Sequence, residues 1–481
     1  MIEFAIYVFI AGVLCAAGAV AQDSPTPGEN WADSPAPNTK DDGYRSIWYT
    51  MGPNDPTYGP KYSGGLGTYC AKHYPFAVYS KEANKTFFCY GGTPRNKRIL
   101  LEMVSYYDHS TGKVPRPTIV LNKKTDDAHD NPVIQIDQKG HIWIFSASHG
   151  TARPSFISRS VKPYDIEAFQ TVLQTNFSYP HLWIMPDGGF FMIHTLYEQG
   201  GRSMFQASSP DGSQWTEPVR LSRIEAGHYQ ITGQFGSKIG VAFNFHPKGR
   251  GLDWRTNLYY MESNDQGRSW RTADGRELKI PLAYKDNPAL VRDYQNMGLL
   301  VYLKDLVFDS TGRPIILIVT SRGPTSGPQN DPRVFTTARW TGTQWEIREA
   351  MPTDNNYDMG SLYLDDDSNW TLIAPTVPGP QPYNTGGEMA MWKTNNAGKT
   401  WKMVKQLTRN SPFNHTYARR PLNAHPDFYA FWADGHARQP SECRLYFCNK
   451  TGDKVWRLPE KMEGDFAEPE LLEQEMNGTE K

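Results

Sequence analysis

The chain is broken into short apolar and aromatic runs separated by turns rich in Gly, Asp, Asn and Pro, a pattern that predicts strands rather than helices. Val133-Ile134-Gln135-Ile136, a turn from Asp137 to Gly140, and His141-Ile142-Trp143-Ile144-Phe145 read as one β-hairpin. Tyr179-Pro180-His181-Leu182-Trp183-Ile184, a turn from Pro186 to Gly189, and Phe190-Phe191-Met192-Ile193 repeat the figure. Further copies open at Tyr229, Lys304, Tyr357 and Tyr417, with an earlier one near Tyr69, giving seven units each long enough for four strands.

A second marker falls late in many units: Ser209-Pro210-Asp211-Gly212-Ser213-Gln214-Trp215, Ser263-Asn264-Asp265-Gln266-Gly267-Arg268-Ser269-Trp270 and Thr394-Asn395-Asn396-Ala397-Gly398-Lys399-Thr400-Trp401. Weaker forms end at Trp345 and Trp456. In such an Asp-box-like turn the Asp or Asn side chain caps its own backbone, Gly takes the positive φ, and Trp folds back between sheets, which is a structural role. Seven units arranged radially predict an all-β fold: a seven-bladed β-propeller of four-stranded antiparallel blades, with few exposed strand edges.

Composition agrees: 481 residues with 13% aromatics, 41 Gly and 36 Pro favour strands and tight turns. Fifty basic against 51 acidic side chains exclude the strong positive field of a nucleic-acid binder. The apolar run from Ile2 to Ala21 ends in Ala19-Val20-Ala21 before Gln22, a small-x-small cleavage pattern. Residues 1–21 are therefore expected to be a signal peptide, with a secreted or periplasmic product free of the membrane after cleavage. Glu3 and the lack of Lys or Arg before the run keep an uncleaved anchor as the alternative. Residues 22–42 read as a flexible leader, 43–465 as the propeller and 466–481 as a C-terminal tail, its last dozen residues a short helix or a frayed end. No Cys-x-x-Cys pair occurs; a Cys70–Cys89 disulfide and two reduced buried thiols both fit this sequence.

In a blade, the first residues of strand one and the last of strand two share a face. That rule joins His129 to His149, Tyr179 and His181 to Tyr197 and Arg202, and His228 and Tyr229 to His246. It also joins Lys304 and Asp305 to Arg322, and Tyr417 and Arg419 to Asp434 and His436, with Arg153, Arg250 and Arg255 added from the following loops. One face is thus rich in His, Tyr and Arg, groups suited to an anionic sugar. Arg or His can neutralise a uronate carboxylate and acidify the adjacent C–H, while Tyr or His moves the proton, which is β-elimination. Asp305, Asp358 and Asp434 keep a paired-carboxylate hydrolase open as an alternative. The run from Asn414 to Pro421, followed by His425, Asp434 and His436, leaves room for a structural Ca²⁺ or Zn²⁺ but matches no specific ligand spacing.

His129-Asp-Asn131-Pro132, Gly227-His228-Tyr229-Gln230, Arg255-Thr-Asn-Leu-Tyr259, Leu303-Lys-Asp305, Thr385-Gly-Gly-Glu388 and Phe431-Trp-Ala-Asp-Gly-His436 resemble the BNR-repeat-containing family of secreted seven-bladed propellers, over nearly all of the chain after the leader. Relatives of that general kind include ulvan lyases and enzymes acting on rhamnose–glucuronate linkages. By that resemblance His129 and His149 are the histidine pair, and Arg202 and Arg255 are carboxylate-side arginines. Tyr179, Tyr197 and Tyr229 all occupy suitable strand ends for the tyrosine, and Tyr197 is chosen. The sialidase Arg-Ile-Pro signature is missing, since Arg98-Ile99 is followed by Leu100.

The resulting expectation is a monomeric secreted polysaccharide lyase on a uronate-containing glycan, with no required cofactor and an anionic polysaccharide or oligosaccharide as partner. Its catalytic set is His129, His149, Tyr197 and Arg202. Asn131, Arg153, Tyr179, His181, His228, Tyr229, His246, Arg255 and Arg322 are the expected substrate contacts. A rhamnosidase-like hydrolase and a non-catalytic glycan-binding propeller are the competing expectations.

Overall fold

The computed structural model describes residues 36–199 and 201–472. The expected signal peptide, the first part of the leader and the end of the tail lie outside the described residues. Among the described residues, seven antiparallel sheets of at least four strands follow one another. Their first strands are Ala77–Ser80, Pro132–Ile136, Ser178–Ile184, Gln230–Phe235, Leu300–Phe308, Ser361–Leu364 and Asn414–Arg419, defining blades 1 to 7 of a β-propeller. Leu422, just after the last of these, closes the ring: the Tyr79 N–H donates to its carbonyl at 2.9 Å, and its own N–H donates to Ala77 O at 2.8 Å.

The burial of each strand follows its distance from the axis. Second strands such as Ile142–Ser146 and Pro314–Ser321 are covered on both faces by adjoining blades and are buried throughout, which is why they read as unbroken apolar runs. Fourth strands such as Phe169–Thr175 and Lys402–Gln406 are largely exposed and polar. The Asp-box turns connect third to fourth strands. Asp211 accepts the N–H groups of Ser213 and Gln214 at 2.8 and 3.0 Å. Gly212 takes φ +80° with its α-carbon against Trp143, where a side chain would collide with the indole. Trp270 is buried and donates from Nε1 to Gln206 of blade 3 at 3.0 Å, so this turn locks two blades.

Three boundaries differ from the sequence reading. Blade 1 begins at Ala77 rather than near Tyr69, because residues 66–76 form no strand of that sheet and Tyr74 instead bridges to His181 of blade 3. Trp48–Asp55 and Gly59–Gly65, placed by the sequence within the propeller, form a separate two-stranded hairpin. The described parts of the leader and tail include strands: Thr39–Lys40 extends blade 1, and Glu470–Leu471 extends blade 7. The last dozen residues, expected to be a short helix or a frayed end, are described only to 472, and their first two pair with the edge of blade 7, where Arg457 bonds Glu470 at 3.0 Å. Cys70, Cys89, Cys443 and Cys448 are buried free thiols.

Replacing Trp270 by Ala removes both the core indole and the inter-blade hydrogen bond. The unfolding free energy is expected to fall by about 3–5 kcal/mol, read from denaturant melts.

Candidate active site

The site begins with a local motif at the entrance to blade 2. Asp127 caps the 3₁₀ turn Ala128–Asp130 by accepting the His129 N–H at 3.0 Å. The same carboxylate takes the Nδ1 hydrogens of two imidazoles, His129 on Oδ1 at 2.6 Å and His149 on Oδ2 at 2.8 Å. The two rings stack with centroids 4.0 Å apart and an interplanar angle of 18°. Asp130 fixes the second ring's backbone by accepting the His149 N–H at 2.7 Å. Arg153 ties the two carboxylates together, donating to Asp130 from Nε at 2.7 Å and to Asp127 from Nη2 at 3.2 Å.

This arrangement splits the protonation of the pair. Burial and the neighbouring His149 hold His129 down to about 4, so it is neutral at physiological pH. Burial also opposes charge on His149, but Asp127 outweighs it and raises that imidazole above its usual value. Burial alone would raise Asp127, and the two imidazoles drive it well below the carboxylate range instead. His129 is only 4% exposed, and its Nε2 lies 3.0 Å from the Tyr62 hydroxyl and 2.7 Å from that of Tyr69. The His149 side chain is 24% exposed and forms the accessible member of the pair.

Tyr179 bridges from the histidines to a second group, its ring 6.2 Å from His149 and 5.3 Å from Tyr229. Tyr229 sits between two guanidiniums, Arg202 at 4.5 Å and Arg255 at 4.3 Å from its ring. Burial pushes the Tyr229 phenol up, yet Arg202 and Arg255 overcome it and bring it down to about 8. Tyr197, whose hydroxyl is 3.3 Å from that of Tyr179, is instead pushed up to about 12 by burial. Arg255 is anchored by donating to the Tyr357 hydroxyl at 3.1 Å, whereas Arg202 keeps a buried Nη1 without a protein partner.

The Trp48–Gly65 hairpin lies across this mouth. It brings Tyr49 and Tyr62 onto His129, and it is tied to the blade 4 loop by Lys61 and Asp253 at 2.7 Å. Beneath it a cavity of about 20 Å³ is lined by Tyr69, Lys72, Tyr229, Arg255, Lys304 and Tyr417, with room for one water and not for a sugar ring.

His129, His149, Tyr179, Tyr197, Arg202, Tyr229 and Arg255 therefore meet in one cluster. Other sequence candidates do different work. The Asn131 amide donates to the carbonyls of Leu66, Gly67 and Tyr69 and so positions Tyr69. The Arg153 guanidinium is committed to Asp127 and Asp130. His181 lies deeper on the axis against Thr232, at 3.0 Å. His246 packs edge-on against Tyr229 at 5.1 Å, and His228 is fully buried against Phe243. Arg322 is exposed in the loop after the second strand of blade 5, outside these contacts. The acids that kept hydrolysis open are occupied: Asp305 by Arg420, Asp358 by Thr353 and the Gly386 N–H, and Asp434 by Tyr446. Asp127, Tyr62, Tyr69 and Lys61 went unpredicted; the one sequence signal was an Asp two residues before His129, in the position of a turn cap. Asp127, His129 and His149 are near enough to hold a cation, but the atoms that face one another are already joined by hydrogen bonds.

Fold and site together define a propeller with a His–Tyr–Arg centre on one face. The chain belongs to the BNR repeat-containing family, whose profile matches residues 103–352. An ulvan lyase of Nonlabens ulvanivorans is 23% identical over 349 residues, covering 63% of this chain and 70% of that protein. An ulvan lyase of Alteromonas sp. (strain LOR) is 24% identical over 403 residues, covering 73% and 79%. The fold is similar to a solved PL25 ulvan lyase, with a TM-score of 0.66 at 18% identity over 85% of this chain and 96% of that one. That enzyme has also been solved with -[GlcA(1-4)Rha3S]- bound.

Asp127→Asn removes the charge that keeps the proton on His149. In a histidine NMR titration the variant should lose that proton at a lower pH than the wild type, whose ring titrates above its ordinary value.

Proposed function

We propose that this protein is a polysaccharide lyase that cleaves a uronate-containing, rhamnose-bearing glycan by β-elimination. The observation that carries the reading is Tyr229 with Arg202 and Arg255 at 4.5 and 4.3 Å from its ring, one ring away from the stacked His129–His149 pair. The ulvan lyase relatives support the same chemistry and the same class of substrate.

In this reading the substrate carboxylate meets the free Nη1 of Arg202 and the His149 imidazolium, which stabilise the charge that develops when the adjacent C5 proton leaves. The Tyr229 phenolate takes that proton, the C5–H electron pair becomes the C4–C5 double bond, and the C4–O4 bond breaks. The protonated phenol lies on the same side and returns the proton to the leaving O4. Tyr229 replaces Tyr197 as the base, because a phenol held near 12 is scarcely ionised at neutral pH while one held near 8 is partly ionised. His129 is a positioning residue, since its Nε2 is covered by Tyr62 and Tyr69. Binding of a sugar ring requires the Trp48–Gly65 hairpin to lift, breaking the Lys61–Asp253 contact. Export directed by residues 1–21 belongs to the same proposal, because a polymeric glycan of this kind is met outside the cell.

An elimination product carries an unsaturated uronate that absorbs in the ultraviolet. On a uronate–rhamnose polysaccharide, absorbance should grow with wild-type protein, and Tyr229→Phe should slow it by about 10²–10⁴-fold with an unchanged melting temperature. New reducing ends without absorbance, or full activity in Tyr229→Phe, would overturn the assignment. The base must be deprotonated, so the rate should rise as pH climbs towards about 8, and Tyr197→Phe should leave that rising limb where it is.

A further inference from the structure

On the face opposite the His–Tyr–Arg centre, three side chains from two blades converge where the ring closes. His109 follows the third strand of blade 1, Leu101–Asp108, while His425 and Asp427 lie in the turn joining the first two strands of blade 7. One donor atom from each lies within 4.8 Å of the other two. The imidazole centroids are 3.7 Å apart, closer than the active-site pair, with no carboxylate bridging the two rings. His109 Nε2 is engaged with Thr86 Oγ1 at 2.8 Å, and its Nδ1 is buried with no protein partner. A buried ring nitrogen left without a partner calls for an explanation, and an unrecorded ligand is one.

The surroundings hold both rings in place. Tyr79 packs against both rings, at 5.4 and 4.8 Å, and Tyr107 covers His109 at 5.0 Å, a collar that fixes ring orientation. His425 Nδ1 accepts the Asp427 N–H at 3.1 Å and lies 3.8 Å from Asp427 Oδ2. A cation seated between them would take the place of that backbone contact.

We propose that His109, His425 and Asp427 form a divalent transition-metal site of the zinc type, which clasps blade 1 to blade 7. Two imidazole nitrogens and one carboxylate oxygen suit Zn²⁺, with water completing a tetrahedron, and are too few in oxygen for Ca²⁺. The position gives the ion a role. Beside it the two blades are joined by the main-chain bonds around Leu422 and by aromatic packing such as Phe88 on Phe428, and a metal held by both blades binds the closed ring and not the unfolded chain. The site is independent of the proposed elimination chemistry and shares no residue with it.

The test uses the full chain without a polyhistidine tag, stripped with chelator and titrated with ZnCl₂ or CoCl₂. Zinc at about a hundredfold over its dissociation constant should raise the melting temperature by about 3 °C or more, at one equivalent per chain. Cobalt should give the visible absorption of a low-symmetry four-coordinate ion. His109→Ala and, at the more exposed positions, His425→Gln and Asp427→Asn should each abolish the melting shift and weaken the cobalt spectrum, with lyase turnover at low temperature unchanged. No zinc-dependent shift in the wild type, or a shift that persists in both His425→Gln and Asp427→Asn, overturns the site.

Discussion

The buried carboxylate of Asp127 is the constraint on which the candidate site depends. An unpaired charge at that depth is prohibitive, and its stability here comes from four donors: one backbone N–H, two imidazole N–H groups and the Arg153 guanidinium. The same bonds give both rings an Nδ1 proton and bring two titratable imidazoles into van der Waals contact. Two stacked imidazoles 4.0 Å apart cannot both hold a proton easily, so the charge settles on the ring nearer solvent. A neutral buried ring and an accessible one that holds its proton more tightly than a free imidazole follow from a single side chain.

The propeller supplies what that local motif lacks. No one blade carries the centre: the histidines come from blade 2, Tyr179, Tyr197 and Arg202 from blade 3, and Tyr229 and Arg255 from blade 4. Radial packing brings the starts of first strands and the ends of second strands to one rim, so guanidiniums from neighbouring blades can flank a phenol held by a third segment. The hairpin from Trp48 to Gly65 then closes over the rim and keeps the charges in a medium where they act strongly on one another. Its salt bridge from Lys61 to Asp253 is short and partly buried, and it is the contact that must break for the cover to open.

Much of this was legible in the sequence because it rests on period and on strand geometry. The hairpins opening at His129 and Tyr179, and the Asp-box turns ending at Trp215, Trp270 and Trp401, reveal the blades directly. The convergence of His129 with His149 follows from the rule that strand starts and strand ends share a face. Other features depend on three-dimensional electrostatics that no spacing encodes. Tyr197 and Tyr229 occupy equivalent strand ends, and only the placement of Arg202 and Arg255 around one of them separates their acidities. Asp127 sits in an acidic loop stretch where nothing marks it as the ligand of two rings. The hairpin was hidden because the Pro- and Asp-rich residues before it blur the boundary of the first blade, and His425 finds its partner in His109, more than three hundred residues earlier in the chain.

The central claim is that the linkage breaks by loss of a proton and not by addition of water. Mass spectrometry of the fragments released from a uronate–rhamnose polysaccharide separates the two outcomes, because hydrolysis leaves every new end fully hydrated. The account predicts fragments whose non-reducing uronate is lighter by one water than its hydrolytic counterpart. Fragments of full hydrated mass, or no fragments from a glycan the protein demonstrably binds, would contradict it.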